Sequence, residues 1–106
     1  MTDKIIALTT CDSEEQAKQI AHRLIEQRLA ACVNIVSNVR SVYRWKEKIE
    51  DAAEFLLVIK SRRDLFAALR AEIEKIHTNE IPEIIAIPIV DGSEAYLGWF
   101  DRELSK

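Results

Sequence analysis

The chain has 106 residues, 48% of them hydrophobic, which is enough for one compact core and too few for a second. Fifteen Lys and Arg against eighteen Asp and Glu leave a net charge of −3. With no basic run in the sequence, that balance supplies no pull towards nucleic acid or an anionic membrane surface.

The N-terminus, Met1 to Ile6, enters a strand-like run at once, without the apolar core and cleavage site of a signal peptide. The apolar stretches are short and broken by charges, so none is expected to span a bilayer. A cytoplasmic location is therefore the expectation, with Cys11 and Cys32 as unpaired thiols.

Ile5-Ile6-Ala7-Leu8 reads as a short strand buried on both faces, followed by a loop, Thr9-Thr10-Cys11-Asp12. Ser13 reads as a helix N-cap, with Glu14 and Glu15 in the first turn and Gln16 completing a capping box. Ala17, Ile20, Ala21, Leu24 and Ile25 then form one apolar helical stripe, predicting a helix over 14–28. From Ala31 the period changes to two. One face carries Val33, Ile35, Ser37, Val39, Ser41, Tyr43 and Trp45, and the other Cys32, Asn34, Val36, Asn38, Arg40, Val42 and Arg44.

Lys46-Glu47-Lys48 interrupts, and strand-like residues resume from Ile49 to Lys60. The pattern predicts a hairpin about twice the usual length, whose base enters the core and whose tip projects beyond it. Ser61 is the expected N-cap of a second helix, whose apolar face runs through Leu65, Phe66, Leu69, Ile73 and Ile76 to His77. Residues 84–90 read as a fourth strand, with Pro88 placing its far end at an edge or a bulge. Asp91-Gly92 turns the chain and Ser93 caps a last helix over 95–104, expected to bury Tyr96, Leu97 and Phe100. The order strand, helix, long hairpin, helix, strand is the α+β, ferredoxin-like βαββαβ arrangement with a C-terminal helix, as one domain over 1–106. Right-handed crossovers put both main helices on one face of the antiparallel sheet.

Several functions of that fold require residues absent here. A C-x-x-C metal chaperone needs a second thiol beside Cys11, and an RNA-recognition sheet needs aromatics on its first strand. No nucleophile with an adjacent base is legible, so no enzyme is expected. His77 ends a helix and is followed by Glu80 and Glu83, a set that suits a first-row metal. The same position suits a helix C-cap histidine held by the helix dipole. His22, off the apolar stripe, reads as a surface group.

Tyr43 and Trp45 lie beyond any core this chain makes alone. Subunit contact is the first reading of them and a ligand cleft at that contact the second. Arg44, Glu54 and Lys60 are ordinary strand charges unless that cleft exists.

Leu29-Ala30-Ala31-Cys32-Val33-Asn34-Ile35, Ser41-Val42-Tyr43-Arg44-Trp45, Ile59-Lys60-Ser61, His77, Pro82-Glu83-Ile84-Ile85-Ala86 and Tyr96-Leu97-Gly98-Trp99 together resemble the CutA family of divalent-cation tolerance proteins. The resemblance runs in order over essentially the whole chain. It implies a cytoplasmic homotrimer of PII-like architecture, long hairpins pairing between subunits, and copper or another divalent cation as ligand. Of the family's metal constellation, His77 and Glu83 match. The first-strand cysteine of copper-binding members is Thr9 here, and Cys11 reaches the site only if its loop folds back on the helix end. The alternative implied by PII-like architecture is a regulatory module taking a small metabolite in an inter-subunit cleft near Tyr43, Trp45, Lys60 and Glu80.

Overall fold

The computed structural model describes residues 1–105. Its elements are β1 (Lys4–Cys11), α1 (Glu14–Glu26), β2 (Cys32–Trp45), β3 (Lys48–Arg62), α2 (Phe66–Ile76), β4 (Ile85–Pro88) and α3 (Glu94–Glu103), with a 3₁₀ turn at Arg63–Leu65. The four strands form one antiparallel sheet in the order β2-β3-β1-β4. This is the expected ferredoxin-like arrangement, and Pro88 sits on an edge strand, where its missing N–H removes no ladder bond from a central strand.

Because opposed residues of an antiparallel pair share a face, the register sorts every strand residue. Ala7, Ile59 and Val33 lie on one row, and Thr9, Leu57 and Ile35 on the next. That face packs against Ala17, Ile20, Leu24, Leu69 and Ile73 of α1 and α2, and these side chains with Ala7, Leu57 and Ile59 are the core. A smaller cluster forms where Phe100 and Leu104 of the C-terminal segment meet Ala31.

Local chemistry explains the element ends. Ser13 Oγ accepts from Gln16 N–H at 3.1 Å, the expected cap. The Gln16 side chain does not complete a capping box, however. Its amide turns away, to the Ile76 carbonyl and the Thr78 hydroxyl. α1 stops where Arg28 adopts φ 57°, letting the Leu29 and Ala30 N–H groups bond back to the Leu24 carbonyl. The hairpin tip is a two-residue turn in which Lys46 and Glu47 both have positive φ, 50° and 68°.

Four further expectations are corrected. β1 continues through Thr9, Thr10 and Cys11, because its pairing with β3 runs to Cys11 opposite Phe55. Ser61 is not a helix cap: β3 extends past it to Arg62, and the buried hydroxyl donates to the Leu29 carbonyl at 2.7 Å. Tyr96 stays exposed, stacked on Trp99 at 5.7 Å, while Phe100 takes the buried position. The fourth correction is a bulge in β2 between Val36 and Val39, with Asn38 at φ 61°. It moves Val39, Ser41, Tyr43 and Trp45 to the face opposite Val33 and Ile35, so the single period-two face from Val33 to Trp45 is broken.

The face away from the helices carries an apolar patch with no helix over it. Ile87 and Ile6 share one row with Lys60 and Cys32, and Ile85 and Leu8 the next with Val58 and Asn34. Ile85 and Ile87 are about half exposed.

At the far end of the sheet from the hairpin tip, Lys4 and Arg62 both pair with Asp101 of α3, at 3.3 and 3.2 Å, while Asp3 and Asp64 take their other donors. Partial burial would raise the Asp101 carboxyl's pKa, but hydrogen bonds and charge from Arg62 and Lys4 outweigh it and leave it lowered. A carboxylate lowered in the folded state adds stability above its unfolded value of about 3.9 and loses it as pH falls through the folded one. Asp101→Asn should therefore destabilise the protein at neutral pH and flatten its loss of stability below about pH 4. Urea unfolding across that range measures this, and parallel curves for the two proteins would exclude the linkage.

Candidate functional site

The bulge and the connection between α2 and β4 together build a cleft of about 550 Å³ beside the projecting hairpin. Its walls include Thr10 at the end of β1, Tyr43 and Trp45 of β2, Glu54 of β3, and Glu80 and Glu83 of the 77–84 connection. Thr10 and Glu54 are the buried members of the wall, and Tyr43, Glu80 and Glu83 are exposed. No Lys, Arg or His among the described residues lines it. The volume suits a small organic ligand.

His77 fixes one wall. Its Nε2 lies 2.7 Å from the Thr10 carbonyl, and its Nδ1 accepts from the Asn79 N–H at 3.0 Å. A carbonyl only accepts, so Nε2 carries the proton and Nδ1 is bare. The ring is thus held as the Nε2–H tautomer, with both nitrogens committed to backbone groups. It also caps α2, its own N–H bonding to the Ile73 carbonyl at 2.8 Å. Thr78 adds a bond to Gln16, so the loop is tied to β1 and α1 at consecutive residues.

Of the residues expected to bind metal, Glu83 reaches the cleft and His77 stands behind it. Cys11 lies on the helix-facing side of β1, fully buried, with its Sγ 3.5 Å from the Ser13 carbonyl. Burial pushes that thiol up, and the charges of Asp12 and Glu54 add to the shift, so it is poorly suited to act as a thiolate ligand. Among the described residues, no three His, Cys, Asp or Glu side chains are grouped to hold a metal ion. Of the expected cleft residues, Tyr43, Trp45 and Glu80 line it. Lys60 does not: it lies roughly 20 Å further along β3, at about 3.3 Å per residue, where it bonds the Asn34 side chain.

The sequence pattern gave no role to Thr10 and left Glu54 an ordinary strand charge unless a cleft existed. Glu54 is 8% exposed. A single carboxylate directly preceding Phe55-Leu56-Leu57-Val58-Ile59 was the available signal.

An α+β sheet with one uncovered face, an overlong hairpin and an acidic cleft at its root defines the class of protein. The sequence matches the family described as CutA1 divalent ion tolerance protein over residues 5–103, and the chain belongs to that family. It is 43% identical over 94 residues to the divalent-cation tolerance protein CutA of Thermus thermophilus, covering 89% of this chain and 91% of that one. It is also 43% identical to human protein CutA, over 88% of this chain but 52% of the relative, so it spans about half the length of that protein. The solved T. thermophilus structure superposes with a TM-score of 0.93 at 39% identity, over 96% of this chain and 99% of that one. CutA1 from Oryza sativa gives 0.94 at 39% identity, over 97% and 94%.

His77→Ala removes two hydrogen bonds of the 77–84 connection, each worth about 0.5–1.5 kcal/mol. It should lower unfolding stability by about 1–3 kcal/mol and speed amide exchange at Asn79 far more than in β1. Unchanged exchange at Asn79 would refute the anchoring role.

Proposed function

We propose that the protein serves divalent-cation tolerance as a cytoplasmic homotrimer, joined through the open face of its sheet and its long hairpin. The single observation that carries this is the helix-free apolar patch of Ile6, Leu8, Ile85 and Ile87, two adjacent rows of the sheet, continuous with a hairpin that leaves its own core. An apolar sheet face of this extent is poorly stable in water, and a second copy offers the same complement of side chains. The free thiols Cys11 and Cys32 suit a reducing compartment.

The cation would be held weakly, by carboxylate oxygens at the cleft mouth, with Glu83 and Glu80 as donors. His77 contributes by holding the loop that carries them. A donor set without thiolate or free imidazole gives modest affinity, and copper should still exceed zinc by the usual order of divalent ions.

Light scattering behind a sizing column should give three times the chain mass at micromolar concentration. Trp45→Ala should dissociate on dilution before Trp99→Ala does. Trp45 stands on the projecting hairpin, whereas Trp99 packs on Tyr96 and Phe100 of its own helix. Truncating a buried interface aromatic typically costs about 2 kcal/mol. A monomeric parent, or equal dilution curves for the two variants, would remove this reading.

For the cation, calorimetric titration of metal-free protein with copper and zinc should show weak binding that Glu83→Gln reduces severalfold. Copper binding unaltered by that change would exclude Glu83 as a donor.

A further inference from the structure

The turn from β4 to α3 sets a glycine directly after an aspartate. Gly92 is the one glycine in the sequence that follows an Asp or an Asn, and every other Asp and Asn precedes a residue with a side chain. Both residues of the pair are exposed and lie outside the regular elements, since β4 ends at Pro88 and α3 begins at Glu94. The turn comes after the bond from Ile89 N–H to the Lys4 carbonyl, at the end of the sheet opposite the hairpin tip. It therefore lies beyond the open-face rows and the hairpin through which copies are proposed to meet.

The Asp91 carboxyl is folded back onto the peptide that follows it. Gly92 N–H donates to Asp91 Oδ1 at 2.9 Å, so the carboxyl carbon is held beside the backbone nitrogen. Holding two reacting groups close together replaces a search with a pre-arranged encounter. Gly92 has no Cβ to shield its nitrogen, and its peptide belongs to no helix or sheet ladder that would resist rotation.

We propose that Asp91-Gly92 is a site of spontaneous main-chain modification, at which aspartate passes through a cyclic imide to isoaspartate. The Gly92 nitrogen attacks Cγ of the carboxylic acid form of Asp91. An N–Cγ bond forms, the C–OH bond breaks, and the hydroxyl leaves as water with the proton from nitrogen. Water then opens the ring. Addition at Cγ restores aspartate, whereas addition at the Asp91 main-chain carbonyl leaves the chain running through Cβ and Cγ. The step needs no oxidant and no cofactor.

The extra methylene falls where α3 is set. No glycine of this chain has a positive φ, so space and not turn geometry selects Gly92. A Cβ on it would lie 3.2 Å from Leu97 Cγ and Cδ2. Leu97 packs on the cluster of Ala31, Phe100 and Leu104, and Ser93 caps α3 by accepting from Tyr96 N–H at 3.2 Å. Lengthening the backbone at Asp91 shifts Gly92 against Leu97 and draws the cap from its helix. Isoaspartate should therefore loosen α3 and leave the core between the sheet and the two main helices intact. The site goes beyond the divalent-cation reading and does not rest on it.

The test is to age the intact, assembled protein warm at neutral pH. Isoaspartyl carboxylates are then labelled by methyl transfer from S-adenosylmethionine with an isoaspartyl methyltransferase and located by peptide mapping. Label should appear at Asp91 ahead of the other five aspartates. Asp91→Glu, whose closure needs a larger ring, should lose it. Gly92→Ala should slow it on the order of tenfold, about 1.4 kcal/mol on the barrier. Amide exchange at Leu97 should be faster in aged than in fresh parent, and the same in aged and fresh Asp91→Glu.

The chain unfolded in urea gives the rate without the fold. No label at Asp91 in the folded protein would overturn the proposal, and label in urea alone would show that the assembled fold blocks closure. Label spread evenly over the six aspartates would overturn it as well. Aged protein labelled at Asp91 with unchanged exchange at Leu97 would overturn the effect on α3.

Discussion

The bulge between Val36 and Val39 decides which side of the sheet carries the aromatic residues, and the cleft depends on that choice. Strand side chains alternate, so one extra residue exchanges the faces of everything beyond it. Before the bulge Val33 and Ile35 look towards the helices. After it Val39, Ser41, Tyr43 and Trp45 share a face with Glu54, across from the 77–84 connection. In an unbroken strand Tyr43 and Trp45 would continue the Val33 row on the helix side, and Glu54 would face no aromatic ring. Asn38 is suited to the position, because asparagine tolerates the left-handed conformation better than most residues.

The opposite wall is held by a different device. A connection of eight residues between α2 and β4 would ordinarily be free to move, yet it carries two of the three cleft carboxylates. His77 ties its start to the Thr10 carbonyl and folds it through the Asn79 N–H, while Thr78 bonds to Gln16. Gln16 is available for this because its side chain leaves the N-terminus of α1, where Ser13 alone provides the cap. The histidine that looks like a metal ligand from its neighbours thus has both ring nitrogens bonded to backbone groups and holds the connection that carries Glu80 and Glu83.

The contrast between legible and illegible features follows from how local each signal is. Helix stripes, the Ser13 and Ser93 caps, the edge placement of Pro88 and the long hairpin are all written in short windows of sequence, and the structure has them. The bulge is not, because two adjacent polar residues, Ser37-Asn38, do not by themselves mark an inserted residue, and only the register, with Val36 opposite Leu56 and Val39 opposite Glu54, reveals it. Ser61 misled because a hydroxyl before a helical stripe satisfies the cap rule, while pairing with β1 at long range holds it in β3. In the site, Tyr43, Trp45 and Glu80 were legible as neighbours of a cleft, together with Lys60, which lies elsewhere, and Glu83 only as a companion of His77. Glu54 and Thr10 were not, since their burial arises from strands that meet only in the folded sheet.

The apolar face and the acidic cleft are consecutive rows of one surface. Thr10, Leu56 and Val36 form the last mainly apolar row of the open face, and Glu54 with Val39 begins the next. In the proposed trimer, a neighbouring chain on that face excludes water from the row beside Glu54. Excluding water lowers the local dielectric and strengthens the attraction between the carboxylate and any cation reaching it. It also raises the cost of leaving the carboxylate empty. Assembly and cation binding are then linked, and linkage is reciprocal: a cation that binds the trimer more tightly than the monomer must hold the trimer together by the same free energy. The bulge that sets Tyr43 and Trp45 beside Glu54 therefore places the acidic cleft where, in the proposed trimer, occupancy and subunit contact can act on each other.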